Sequence, residues 1–156
     1  MKQYLLPGQG KFYKANLHMH TVVSDGEMTP DEVKRAFLAH GYSVVAFTDH
    51  EVIVPHNDLT DENFLALTGF EIAVNLPHPP TWDFAFMKTC HMNFYAKEPG
   101  NVLCPAFDEA GVWLKHSRAF ITDEMRAHGT RREYSAGCFN RLIAEANQAG
   151  FLVSLN

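Results

Sequence analysis

The stretch LHMHTVVSDG, Leu17 to Gly26, sets two histidines one residue apart and an aspartate five residues after the second. It closes the run KFYKANLHMH, which reads as a β-strand. Residues two apart on an extended strand point to the same side, so His18 and His20 present both imidazoles to one space. That geometry suits a shared metal ion. An HxH pair in a chain with nine histidines is a weak signal by itself, and its weight depends on what the rest of the chain brings beside it.

Working outward, TPDEVKRAFLAHG (29–41) reads as a helix with its punctuation intact. Thr29 can cap, Pro30 suits the first helical position, Glu32 completes a capping box, and Gly41 suits a left-handed stop. Val33, Ala36 and Phe37 fall at helical spacing and form its inward stripe. YSVVAFTDH (42–50) is a nearly continuous apolar run, as expected of a buried parallel strand returning from a crossover. The pattern is a βαβ unit. NFLALTGFEIAV (63–74) offers a third strand and WDFAFMKTCHMNFYA (82–96) a long aromatic fourth. CFNRLIAEANQAG (138–150) sets Phe139, Leu142, Ile143 and Ala146 on one helical face, and FLVSLN (151–156) begins another strand. The proline-rich NLPHPPT (75–81) is expected to be a loop, and residues 98–135 a long excursion with some helix around Asp123 to Arg126.

Position raises the value of the histidine pair. His18 and His20 end the first strand, His50 ends the second in FTDH, and Glu71 ends the third in GFE. In a parallel α/β sheet or barrel the C-terminal strand ends form one rim, where sites are built. Asp25, in the loop after strand one, can bend back onto it. Imidazoles and carboxylates packed at one rim need their charges and lone pairs neutralised, which divalent ions do. Nitrogen and carboxylate ligands without a thiolate suit zinc, manganese or iron rather than calcium, and an open hydrolytic site rather than a closed structural one. Asp49 has two readings, an orienter of the His50 imidazole or a surface or capping group. His56, His116 and His128 sit in polar surroundings and read as solvent-facing, and His40 as a partner of its helix's last carbonyls.

Length and composition set the limits. A chain of 156 residues fits one domain, 1–156, large enough to bury a core. A net charge of −5 without a basic run argues against nucleic acid or an anionic membrane as the main partner. No segment approaches a membrane span and the start is too short in apolar residues for a signal peptide, so the expected location is the cytoplasm. Cys90, Cys104 and Cys138 match neither a disulfide framework nor a zinc CxxC pattern and read as reduced thiols.

NLHMHTVVSDG, VVAFTDH, GFE and the later CH (90–91), taken together, resemble the successive motifs of the PHP family, the polymerase and histidinol phosphatase domain of metal-dependent phosphoesterases. The likeness runs from about Ala15 to His91 and resumes from Ser135 to Asn156. It implies a distorted seven-stranded (β/α) TIM-like barrel, of which this chain holds the N-terminal portion, with two or three divalent ions (zinc, manganese or iron) at one rim. By the same carry-over His18 and His20 bind a first metal, Glu71 bridges the first and second, His91 belongs to the second, and Asp25 and His50 bind a third. His78 competes with His91, which is preferred because it lies in a strand pattern. The implied activity is hydrolysis of a small phosphorylated metabolite or nucleotide through a metal-bridged hydroxide. Lys88, Arg118, Arg131 and Arg132 are candidates to grip phosphate.

Two alternatives stay open: a non-catalytic metal-binding or assembly module that keeps the fold, and an amidohydrolase, which shares the HxH strand but not the SDG and TDH elements. The family's later ligands fall beyond Asn156, so the chain is expected to be part of a longer protein, on the order of 250 to 300 residues by the size of such barrels.

Overall fold

A computed structural model describes residues 9–76 and 88–156. His78 and most of the proline-rich loop, together with the first part of the expected fourth strand, lie outside the described residues. The elements run β1 (Ala15–Met19), α1 (Pro30–Ala39), β2 (Val44–Phe47), β3 (Leu65–Asn75), β4 (Thr89–Ala96), α2 (Asp123–Ala127), α3 (Ala136–Gln148) and β5 (Phe151–Leu155).

Helix α1 starts and stops where its sequence says it should. Thr29 accepts from the Glu32 amide while the Glu32 carboxylate accepts from the Thr29 amide at 2.8 Å, and Gly41 ends the turn at φ +76°. Val33 is fully buried, and with Phe37 and Leu38 it packs on Val45, Phe47 and Ala66 of one sheet face and on Phe64 just before β3. Thr29→Ala is expected to lower stability by about 1 kcal/mol, the usual worth of such a cap, read as a lower urea midpoint with unchanged slope.

The five strands form one mixed sheet in the order β1-β2-β3-β4-β5. β1, β2 and the first half of β3 pair in parallel, as the βαβ pattern requires. From Gly69 onward β3 pairs antiparallel with β4, and β4 antiparallel with β5. The α/β class stands as expected, but among the described residues the sheet is mixed and open, where a regular (β/α) barrel would continue in parallel. Gly69 sits at the change of partner, where a Cβ would press on the Phe94 carbonyl oxygen at 2.5 Å; only glycine allows the strands to approach so closely.

Alternation along β3 and β4 then divides the sheet. Phe70, Ile72, Val74, Met92 and Phe94 point to one side and build the larger core with Phe151 and with Leu142 and Ala146 of α3. Phe70 and Phe94 stack with ring centroids 4.6 Å apart. Cys90 turns to this side and packs against the core, away from His91. The odd-numbered residues, Glu71 and His91 among them, face the other way.

Residues 98–135 are more than an excursion. Cys104, Ala106, Phe107, Val112 and Met125 join the same core, and a short helix stands at Asp123–Ala127 as expected. All three cysteines are free, and burial pushes the Cys104 thiol far up, keeping it protonated. Among the described residues, no helix is long and apolar enough to cross a membrane.

Candidate metal centre

Glu71 is the hub. Its side chain is fully buried, and four imidazoles from three segments surround its two oxygens. His18 Nε2 and His91 Nδ1 each lie 3.1 Å from Oε1, while His20 Nε2 at 3.0 Å and His50 Nδ1 at 3.3 Å approach Oε2. Three overlapping groups result: His18, His20 and Glu71; His50, Glu71 and His91; and His20, Asp25 and His50. All six residues singled out in the sequence meet here. One positional expectation is corrected: Glu71 does not end β3, which continues to Asn75. The register accounts for it: Phe47 at the end of β2 pairs with Thr68 and His50 bridges to Glu71, so the middle of β3 lies level with the ends of its shorter neighbours.

The loop after β1 is shaped by Asp49. Its buried carboxylate accepts from the Thr21 and Ser24 amides and from both hydroxyls, at 2.7 to 3.1 Å. Of the two readings of Asp49 the capping one comes nearest: it orients no imidazole and is not on the surface, but caps the amides of the turn that returns Asp25 to the site. Gly26 closes that turn because a Cβ there would collide with the His20 carbonyl. Asp25 Oδ1 then lies 2.8 Å from His20 Nδ1 in hydrogen-bond geometry. Holding the ring proton on Nδ1 leaves the Nε2 lone pair for the Glu71 group, as carboxylates behind metal-bound histidines do.

Beyond β2 the backbone hydrogen bonds from Glu51 N to Glu71 O (2.7 Å) and from Glu71 N to Asp49 O (3.1 Å) lock His50 beside Glu71. Glu51 itself adopts a left-handed conformation at φ 67°, a costly one for a non-glycine residue. Its buried carboxylate is held by Arg132, Nη2 to Oε2 at 2.6 Å and Nη1 to Oε1 at 2.9 Å. Arg132 also donates to the Ala106 and Ala73 carbonyls. It is thereby removed from the candidates for gripping phosphate. Arg118 and Arg131 stand 3.9 Å from Glu109 and Glu133, and Lys88 is exposed.

The donor set fits divalent ions. Around an ion with bonds of about 2.0–2.1 Å, neighbouring tetrahedral ligand atoms stand roughly 3.3 Å apart, close to the spacing of the nitrogens and oxygens here. Several of these atoms lie within hydrogen-bonding distance but are aimed past one another: His50 Nδ1 and Glu71 Oε2 are buried without a hydrogen-bond partner. Ligand atoms directed at a common point between them do this. His18 Nε2 and His20 Nε2, 3.0 Å apart, likewise need a proton or a cation between their lone pairs.

Electrostatics agree. Burial pushes the Glu71 carboxyl up, but the His20 contact and the His50, His18 and His91 rings more than reverse it, to about 2. For His20, burial pulls down and is overridden by Glu71 and Asp25, so its pKa is raised. For His50, burial is reinforced by its neighbouring imidazoles against Glu71 and Asp25, and its pKa is lowered.

No family model matches the chain. A 5′-3′ exoribonuclease of Haemophilus influenzae is 25% identical over 149 residues, 91% of this chain. The chain spans about half, 51%, of that curated relative's length. Among solved structures, a provisionally described metal-dependent phosphoesterase from Bifidobacterium adolescentis superposes with a TM-score of 0.42 at 23% identity, over 60% of this chain and 31% of its own. An amidohydrolase from Chromobacterium violaceum, with bound sulfate and no metal, gives 0.37 at 18% identity over 86% and 51%.

Some residues around the centre escaped the sequence reading. Asn156 Nδ2 lies 3.2 Å from His18 Nδ1 and 3.3 Å from Glu71 Oε1. Asn93, opposite Glu71 on β4, is fully buried with neither amide atom paired; its odd number on the His91 strand was the available signal. His116 is exposed, as read, and its Nε2 also donates to the Ser24 carbonyl at 2.7 Å. His56, read the same way, packs its ring on Phe47 with Nε2 buried. His128 is exposed beside Glu124, as expected of a surface group.

Proposed function

We propose that this chain carries the metal-binding part of a PHP-type hydrolase acting on phosphate esters. The observation that carries the reading is the buried Glu71 carboxylate shared by two candidate groups, one with His18 and His20 and one with His50 and His91, which would let it serve two ions at once. Bound there, divalent ions would supply Lewis acidity that activates water and neutralises charge on phosphoryl oxygens.

The chain's own residues set the stage for that chemistry. Asp25 holds the His20 proton on Nδ1, Asp49 fixes the loop bearing Asp25, and the Glu51–Arg132 pair holds the backbone that carries His50. His18 and His91 are about two-fifths exposed while Glu71 is sealed, so a substrate reaches the site from their side. The likeness to an exoribonuclease, named for work on phosphodiester bonds, supports phosphate over amide chemistry.

The test is phosphate release from p-nitrophenyl phosphate with added manganese or zinc. His20→Ala is expected to abolish it, and undiminished activity in that variant overturns the assignment. Stoichiometric bound metal with no turnover across a panel of phosphate esters favours the non-catalytic module instead.

A further inference from the structure

Trp113 is 63% exposed, yet it lies on a segment fastened at both ends to the loops that bear the candidate ligands. On one side Val112 is buried in the main core, and Gly111 packs against the Glu51 carboxylate, next in sequence to His50. On the other, His116 Nε2 and Ser117 Oγ donate to the Ser24 and Val23 carbonyls, each at 2.7 Å, immediately before Asp25. The indole ring centroid stands 6.4 Å from that of His50. A singly exposed aromatic ring needs no partner in itself, but this indole is held in place beside the metal centre, where its flat apolar face can meet an aromatic ring.

We infer that Trp113 is a stacking platform for the aromatic ring of the substrate, which makes the substrate class a nucleotide rather than a sugar phosphate. The inference rests on the phosphate-ester reading above. With the phosphate at the Glu71 cluster, the pentose of a nucleotide spans the gap and lays its base against the indole. Stacking of a base on an aromatic side chain is sequence-tolerant, because every base has a π-face. It selects for a ring and not for one base.

Two measurements test this. In Trp82→Phe protein, which leaves Trp113 as the emitting indole, adenosine monophosphate should quench fluorescence saturably without added metal, and ribose 5-phosphate should not. The ratio of kcat/KM for adenosine monophosphate over ribose 5-phosphate should fall roughly 5- to 150-fold in Trp113→Ala, the range that base stacking supplies, and largely recover in Trp113→Phe. An unchanged ratio, or equal quenching by the ester that lacks a base, overturns the platform while leaving hydrolysis intact. If neither ester is hydrolysed the phosphate-ester reading fails, and the quenching result alone decides the platform.

Discussion

Glu71→Gln is expected to strip the protein of its metal. The amide keeps the shape but loses the charge, and its NH2 group turns a donor toward imidazoles whose lone pairs need a cation. Loss of an outer partner of a metal ligand costs about 10- to 100-fold in affinity, so removing the shared bridging carboxylate should exceed 100-fold, measured by competition with a chromophoric chelator. The same substitution gives a pH signature in metal-free protein. Glu71, lowered from 4.5 to about 2, stabilises the fold above its unfolded value and loses that effect as pH falls toward 2. His20, raised from 6.5, does the reverse, stabilising below 6.5 and losing the effect as pH rises through its folded value. The difference in urea midpoint between wild type and Glu71→Gln should therefore be widest between about pH 4.5 and 6.5.

Arg132→Met should be the most destabilising single change away from the ligands. Arg132 and Glu51 are about 5% and 3% exposed, so removing the cation leaves a buried carboxylate without its counter-charge and frees the Ala73 and Ala106 carbonyls from their guanidinium donor. Breaking such a pair from one side typically costs about 3–5 kcal/mol, whereas replacing both partners by apolar groups is often nearly neutral. Urea unfolding should show most of the loss recovered in the double variant Glu51→Met, Arg132→Met. Because Glu51 follows His50 directly, the single variant should also weaken metal binding; full affinity would separate the pair from the site.

Local chemistry was legible wherever a residue's role is decided by its near neighbours. The capping box at Thr29 and Glu32, the glycine stop at Gly41 and the buried run of β2 all depend on contacts within a turn or on strand period, and they stand in the fold as read. The convergence of His18, His20, Asp25 and His50 was legible because strand ends in a βαβ unit share a rim, whereas Glu71 lies mid-strand rather than at the end expected of it and His91 was named only through the family resemblance. The antiparallel turn of β3 into β4 was not legible, since strand period is the same in either direction and partner choice depends on distant residues. Arg132 was misassigned for a related reason: its partner Glu51 is 81 positions away, and an arginine in a long excursion looks the same whether it faces solvent or a buried carboxylate. Trp113 gave no signal at all, because exposure beside a site is a property of the folded chain.

Anomalous diffraction from crystals soaked in manganese or zinc tests the central claim most directly. The account predicts peaks on both sides of the Glu71 carboxylate, one within about 2.0–2.2 Å of its ligands among His18 and His20 and the other among His50 and His91. Density that leaves Glu71 merely hydrogen-bonded to its four histidines, with ions bound elsewhere or nowhere, would contradict it.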